Sequence, residues 1–402
     1  MALNYTNNFY PRFSRAEYHE RYERIRRGMK EANLDCLIIY NTHNYFGTDP
    51  GQSNVIYLSA YAAFHHTYIV FPQSGEPTLF HWLGLHIKNA RQMSVIQDIR
   101  LGQAAAVADR VIELGCDQGN IGMVGYSWGS VDCTVSVEDW NILVKKLPQA
   151  NFNTVTRWFK QLKEVLSNEE IKFMKKGAEI TDAAYKAVIK AIKPGKTTDS
   201  QLHDVALATT HSMGGRIPFG HVESTPMSAP KTFYPNPYPL NRTINKGDVI
   251  LTEIAAGWGG YMGKIFGTIF VGKPNNLYSE LFELAQDSYR ALVKGIKPGL
   301  KGKDVQSALA GRILEAGYDS YSNIGGWSMY NTDPSIGMAG KYNGDPKHLE
   351  YEFLPGHTYS VVGRPVDKKQ KYGMWLGDTC LVTKTGCKSL HEDFRVDEMV
   401  VV

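Results

Sequence analysis

Cysteine is scarce and scattered: the five residues Cys36, Cys116, Cys133, Cys380 and Cys387 are odd in number and never spaced C-x-x-C, which argues against a disulfide framework or a thiolate zinc site. Long apolar runs are missing as well. No stretch approaches about 18 consecutive apolar residues, so no membrane span is expected. The segment Met1 to Arg12 lacks the basic-then-apolar order of a secretory signal, and the expected location is cytoplasmic. Charge of one sign is nowhere concentrated: 44 Lys and Arg stand against 40 Asp and Glu, a net charge of +4, so nucleic acid is not an expected partner. The glycine pairs Gly214-Gly215, Gly259-Gly260 and Gly325-Gly326 complete no G-x-G-x-x-G or Walker pattern, and no nucleotide cofactor is expected.

What remains is a folded chain of 402 residues, 11% aromatic and 21% charged, long enough for two domains. Ser14 and Glu17 make a capping box before a helix running to Leu34. Asp35 to Asn41 reads as a strand, and Thr67 to Phe71 with Glu76 to Phe80 as a hairpin. Helical patterns near Ala104 to Leu114 and Val137 to Leu147 alternate with a strand at Asn120 to Val124, an α/β layout expected over residues 1–157. From Trp158 to Lys193 long helical patterns open a second domain, expected over 158–402. It continues with a helix from Asp199 to Ser212, an irregular stretch from Gly214 to Arg242, strands at Asp248 to Ala255 and Lys264 to Gly272, and a helix from Tyr278 to Ile296. Two Lys-Pro-Gly turns, at Lys193 and Lys297, echo one another. A weak internal repeat of this kind predicts a pseudo-symmetric body with its site in a cleft between the halves.

Gly125-Tyr126-Ser127-Trp128-Gly129 matches the G-x-S-x-G nucleophile elbow and follows a strand, but the pattern arises easily in a glycine-rich chain and lies in the first domain. The ordered set Gly247-Asp248-Val249-Ile250-Leu251, Gly260-Tyr261, Gly272-Lys273-Pro274, Leu354-Pro355-Gly356 and Asp378-Thr379-Cys380-Leu381-Val382-Thr383, with the two Lys-Pro-Gly turns, is more specific. In these motifs the chain resembles the creatinase/aminopeptidase P (M24) family over nearly its whole length. The resemblance implies an α+β protein with a C-terminal pita-bread domain and a smaller N-terminal α/β creatinase-like domain.

Peptidase members of that family hold two divalent ions with two Asp, one His and two Glu, a hard donor set suited to activating a bridging hydroxide. Matched position by position, the two Asp fall on Glu253 and Lys264, the His within Asn323 to Pro334, which contains no histidine, and the two Glu on Val362 and Gly377. One carboxylate beside an ammonium does not hold two dications, so no metal and no cofactor are expected and an Xaa-Pro metallopeptidase is disfavoured. Creatinase's own acids and histidine fall on Phe266, Val362 and about Pro235 or Asn236. The chain is more similar to ectoine hydrolases, whose nucleophilic Glu in a Glu-Ile-Ala segment corresponds to Glu253-Ile254-Ala255.

Alternation of Val249, Leu251, Glu253 and Ala255 places Glu253 on an apolar strand face, facing Lys264 of the next strand. One reading makes Glu253 a nucleophile or base with Lys264 as the charge partner or proton donor; the other makes them a buried salt bridge in a vacated metal site. His221, with Glu223 two residues on, is a candidate acid-base group or else a locally bonded loop residue. Arg364 is a candidate clamp for a substrate carboxylate, or a surface cation paired with Asp367. Trp258, Trp327, Tyr330 and Trp375 flank the vacated positions, either as walls of a cation cage or as ordinary core. Asp378 joins the candidate substrate contacts, although alternation turns it from the face of Gly377.

The cluster Tyr57, Tyr61, His65 and His66 resembles the first-domain loop that creatinases pass into the partner subunit's site, which implies a homodimer, with His65 and His66 as substrate contacts. The expectation is therefore a metal-independent hydrolase of a C–N bond in a small polar or zwitterionic metabolite of the ectoine or creatine type. The alternatives are a lyase in the same cleft and a non-catalytic binding module.

Overall fold

The structure, a computed structural model, describes residues 12–41, 52–63, 65–128, 131–329, 335–337 and 346–402. The chain divides into two compact units, Met1–Lys163 and Glu164–Val402. The division falls beyond residue 157 because the helix Thr156–Gln161 belongs to the first unit, where Thr156 Oγ1 accepts from Gly125 N at 3.0 Å.

In the first unit Ser14 caps the helix Arg15–Glu31 by accepting from Glu17 N. A six-stranded sheet runs in the order Asp98–Leu101, Thr78–His81, Thr67–Pro72, Cys36–Asn41, Asn120–Val124, Asn151–Thr154. Its central strands are buried along their length, as their near-continuous apolar sequences require. Ile38 and Tyr40 pack with Val107, Val111 and Leu143 of the covering helices. Ser127 lies inside the short strand Tyr126–Trp128, paired with Val131–Thr134, and is not at the strand-to-helix turn that a nucleophile elbow requires.

The second unit is built on a nine-stranded sheet. Its main path runs Ser335–Gly337, Asn323–Gly326, Thr358–Gly363, Leu376–Val382, Tyr261–Phe270, Asp248–Trp258, Arg216–Pro226. The helices Asn168–Ala191, Asp199–Ser212, Asn276–Gly295 and Gly302–Glu315 belong to this unit. The internal repeat is visible in atomic detail. Each Lys-Pro-Gly turn ends on a glycine of positive φ, +75° at Gly195 and +85° at Gly299, where a side chain would be strained. Gly195 N donates to Ile244 O and Gly299 N to Phe353 O, and the residue pairs Thr198–Thr243 and Lys301–Glu352 form equivalent bridges.

The stretch from Gly214 to Arg242 is not irregular throughout. Its first part is the strand Arg216–Pro226, antiparallel to Asp248–Trp258 along nearly its full length. Gly220 and two prolines remove the local strand signal, and pairing with a long neighbour supplies what propensity does not. No helix among the described residues is long and apolar enough to cross a membrane.

Two buried histidines set an acid limit on folding. Burial, with His86, His65 and His66 nearby, lowers His81 to about 4, and burial lowers His357 to about 4. Both bind protons more readily unfolded, near 6.5, than folded. Stability therefore falls as pH drops from about 6.5 toward 4. Urea midpoints measured across that window are expected to decline, and His357→Gln is expected to flatten part of the slope.

Candidate active site

Strand register alone assembles the site. Glu253 stands directly opposite His221 on one side and Phe266 on the other; Phe266 opposes Gly377, Gly377 opposes Val362, and Val362 opposes Asn323. Directly opposed residues share a face, so this row crosses one face of the sheet. Lys264 sits two pairs along, opposite Ala255, and therefore on the same face as Glu253.

The ammonium of Lys264 contacts Glu253 Oε1, and each side chain is only 7% exposed. His221 Nδ1 lies 3.7 Å from Glu253 Oε2, and the Tyr234 hydroxyl donates to the same oxygen at 3.5 Å. Burial alone would raise the Glu253 carboxyl, but Lys264 and His221 outweigh it and hold the group down at about 2. For Lys264 burial dominates: it lowers the ammonium below its usual value, Glu253 offsets this in part, and Arg364 adds to the lowering.

Aromatic rings wall this pair. The Lys264 ammonium lies 4.0 Å from the ring centre of Trp327 and 4.6 Å from that of Phe266. Arg364 is buried, not a surface partner of Asp367, and its guanidinium lies 4.5 Å from the ring centre of Trp375. Asp367 instead accepts from the backbone N–H groups of Lys371 and Tyr372. Trp375 donates to Thr252 O at 3.0 Å and packs with Phe266 and Val362. Cations of the chain itself thus face Trp327 and Trp375.

Several expected members lie elsewhere. Asp378 faces the other side of its strand, where its carboxyl accepts from Tyr289 at 2.8 Å and Ser389 at 2.6 Å. Burial raises its pKa, and it belongs to a structural network, not to the row. Trp258 shares parity with Ile254 and Ala256, and its ring lies against Gly214. His221 is a strand residue whose acidic neighbour is Glu253; Glu223 turns to Asn236, accepting from its N and Nδ2 at 2.7 and 2.8 Å. His65 and His66 belong to the first unit and pack around Trp82 there. Tyr330 lies outside the described residues. Tyr234 joins the site through Glu253 although no motif marks it, whereas Asn236, near the position where the resemblance expects a histidine, bonds Glu223, and Asn323, the first residue of the segment without the expected histidine, ends the row.

The row is where the family resemblance places a metal pair, and its residues do not fit one. Glu253 is tied to an ammonium, and Val362 has no donor. A Cβ at position 377 would lie 2.1 Å from Val361 O, so the backbone leaves no space for a carboxylate side chain. Among the described residues no three His, Cys, Asp or Glu side chains group in a way that would hold a metal ion.

Residues 172–384, more than half of the chain, match the model of metallopeptidase family M24. The chain belongs to that family. It is 22% identical to an Xaa-Pro dipeptidase of Pyrococcus furiosus over 381 residues, 94% of this chain and 99% of that protein. It is 26% identical to an Xaa-Pro dipeptidase of Pyrococcus horikoshii over 267 residues, 63% of this chain and 70% of that one. The crystal structure of the prolidase from Pyrococcus horikoshii OT3 superposes with a TM-score of 0.76 at 21% identity, covering 94% of this chain and 99% of that one. The fold is thus prolidase-like, an N-terminal α/β domain followed by the pita-bread domain, and the family is one of hydrolases.

Proposed function

We propose that this M24 hydrolase cleaves a C–N bond in a small polar or zwitterionic metabolite without a metal pair, with Glu253 as its nucleophile. The observation that carries the reading is the buried Glu253–Lys264 pair, an ionised carboxylate and a cation where the peptidase pattern has two acids. A carboxylate held at about 2 is a weak base near neutrality, which favours attack on carbon over proton abstraction. The same argument weighs against the lyase alternative.

The step balances within the site. A Glu253 oxygen bonds to the electrophilic carbon, the C–N bond breaks, and the leaving nitrogen takes a proton from Lys264, which its lowered pKa makes a better acid. Water then adds to the carbon and displaces Glu253, and its proton returns to Lys264. Arg364 contributes a buried positive charge suited to a substrate carboxylate. Because the chain's own cations face Trp327 and Trp375, these rings serve the site as packing for Lys264 and Arg364, not as a cage for a substrate ammonium.

One observation favours a second reading, a non-catalytic binding module: Phe266, Val362 and Trp375 pack together in the middle of the row. A thermal-shift screen separates the two, using ectoine, creatine, betaines and Xaa-Pro dipeptides, each with manganese, zinc or chelator. The expected result is stabilisation by a C–N metabolite that is indifferent to metal and chelator. A shift requiring manganese or zinc would return the chain to dinuclear peptidase chemistry, and stabilisation without turnover would leave the binding module. The homodimer implied by the first-domain loop is part of the proposal, with sedimentation as its measure.

A further inference from the structure

The free cysteines are scattered along the chain, but folding brings Cys36 and Cys116 together in the first unit. Cys36 opens the strand Cys36–Asn41, near the middle of the six-stranded sheet, and is fully buried. Cys116 stands in the turn after the helix Ala104–Glu113, is partly exposed, and packs against the core cluster that contains Cys36. The two thiols are hydrogen-bonded, with Cys36 as the donor to the Cys116 sulfur. Cys116 Sγ also lies 3.9 Å from the carbonyl oxygen of Asp35, the residue before Cys36.

The backbone holds the pair in place. Asp35 N donates to Asn120 O at 2.9 Å and Asn120 N donates to Asp35 Oδ2 at 2.8 Å, so the turn that carries Cys116 is bonded to the residue beside Cys36. Cys116 N donates to Val111 O and Gly119 N to Cys116 O, each at 3.1 Å. Sulfurs in hydrogen-bond contact close to a disulfide by side-chain rotation and a small shift of the turn. The two sulfurs differ in character. The hydrogen bond from Cys36 lowers Cys116 to about 7, against burial and the carboxylates of Asp35 and Asp117, which raise it. The same hydrogen bond, with complete burial, pushes Cys36 up. A partly exposed thiolate beside a buried thiol is the arrangement of an attacking and a resolving cysteine. Cys380 and Cys387 are neighbours too, but burial, Cys387 and Asp378 push Cys380 well up, and its thiol donates to Asp378 Oδ1 at 3.2 Å.

We propose that Cys36 and Cys116 are a redox-active dithiol that a hydroperoxide oxidises to a reversible disulfide, with Cys116 as the attacking sulfur and Cys36 as the resolving one. The Cys116 thiolate attacks one oxygen of the hydroperoxide and the O–O bond breaks. Cys116 becomes a sulfenic acid, and the departing oxygen takes up the proton that the thiol had shed. The Cys36 sulfur then displaces hydroxide from the sulfenic acid: the S–S bond forms, the S–O bond breaks, and the Cys36 proton leaves with the hydroxide as water. Two thiols and hydrogen peroxide thus give one disulfide and two waters, with two electrons passing from sulfur to oxygen. An external thiol restores the pair by exchange. The site uses none of the residues assigned to the chemistry at Glu253 and goes beyond the proposed function.

The test begins on the full wild-type chain, treated with excess hydrogen peroxide, alkylated, digested and read by mass spectrometry. The expected product is a peptide pair joined through Cys36 and Cys116, lighter than the two free peptides by two hydrogen atoms and lost on treatment with dithiothreitol. Absence of that link, a disulfide through other cysteines only, or Cys116 accumulating as a sulfinic acid in wild type would overturn the proposal. Two variants separate the roles. Cys36→Ser keeps a hydroxyl donor beside Cys116 and removes the resolving sulfur, so Cys116 is expected to be trapped as a sulfenic acid that dimedone labels, a label lost in wild type. Cys36→Ala removes the donor as well, and alkylation of Cys116 by iodoacetamide near pH 7 is expected to slow by about fivefold or more as its thiolate fraction falls. Equal dimedone labelling of Cys36→Ser and wild type, or an unchanged alkylation rate in Cys36→Ala, would overturn it. Glu253→Gln protein is expected to form the same link as wild type, so this site stands or falls apart from the reading of Glu253.

Discussion

Lys264→Met is expected to cost the protein about 3–5 kcal/mol, the loss typical of removing one partner from a buried ion pair. Glu253 and Lys264 are each 7% exposed, so water cannot replace the missing ammonium. The contacts of the ammonium with Trp327 and Phe266 disappear with it, although methionine retains most of the volume. The pH dependence distinguishes this cause from simple repacking. In wild type Glu253 is held at about 2, below its unfolded value, so its contribution to stability is present above the unfolded pKa and is lost only as pH falls through about 2. Without Lys264, burial is opposed chiefly by His221, and the carboxyl rises above its unfolded value. A raised carboxyl favours the folded state once protonated, so the variant gains stability as pH falls through its new pKa while wild type does not. Urea denaturation at neutral pH and near pH 5 is therefore expected to show a gap that narrows in acid. The double variant Glu253→Gln/Lys264→Met is expected to recover much of the loss. A cost of less than about 1 kcal/mol at neutral pH would mean that the pair is solvated, and would remove the physical basis for a preorganised carboxylate.

Much of this site is a consequence of parity, and parity is legible in the sequence. The alternation through Val249, Leu251 and Glu253 puts the acid on one face, and a hairpin closing at Trp258 and Tyr261 brings Lys264 onto the same face. The same arithmetic turns Asp378 from Gly377 and Trp258 from Glu253, so counting along the strands is enough to set both apart from the row. Pairing between distant segments is not legible in this way. That His221 faces Glu253 follows from the strand Arg216–Pro226, whose glycine and prolines conceal it, and from its register against Asp248–Trp258. That Glu223 bonds Asn236 follows from a turn of the chain that no periodicity announces. Asn323 is hidden for another reason. The segment from Asn323 to Pro334 stands out for the histidine that it lacks, and nothing in it marks Asn323 as the end of the row until the register against Val362 is known.

Glu253→Gln is expected to lower turnover of whichever compound stabilises the wild-type protein by at least about a thousandfold, because an amide oxygen is a far weaker nucleophile than the carboxylate it replaces. Binding should survive, since the side chain keeps its shape and the Arg364 position is untouched. The variant should fold, because a neutral partner leaves Lys264 free to shed its proton, toward which burial already biases it. A purely structural salt bridge predicts instead that any activity is unaffected except through the fraction folded. Glu253→Asp separates charge from reach. It preserves the carboxylate but withdraws it by one methylene, and a displacement of about 1 Å at a reacting atom is expected to cost roughly a hundredfold in kcat beyond any loss of folded fraction. Chelator and added manganese should leave all three rates unchanged. Full activity in Glu253→Gln, or rates in the two variants that track only their folded fractions, would assign the pair to the architecture of the sheet and remove Glu253 from the chemistry.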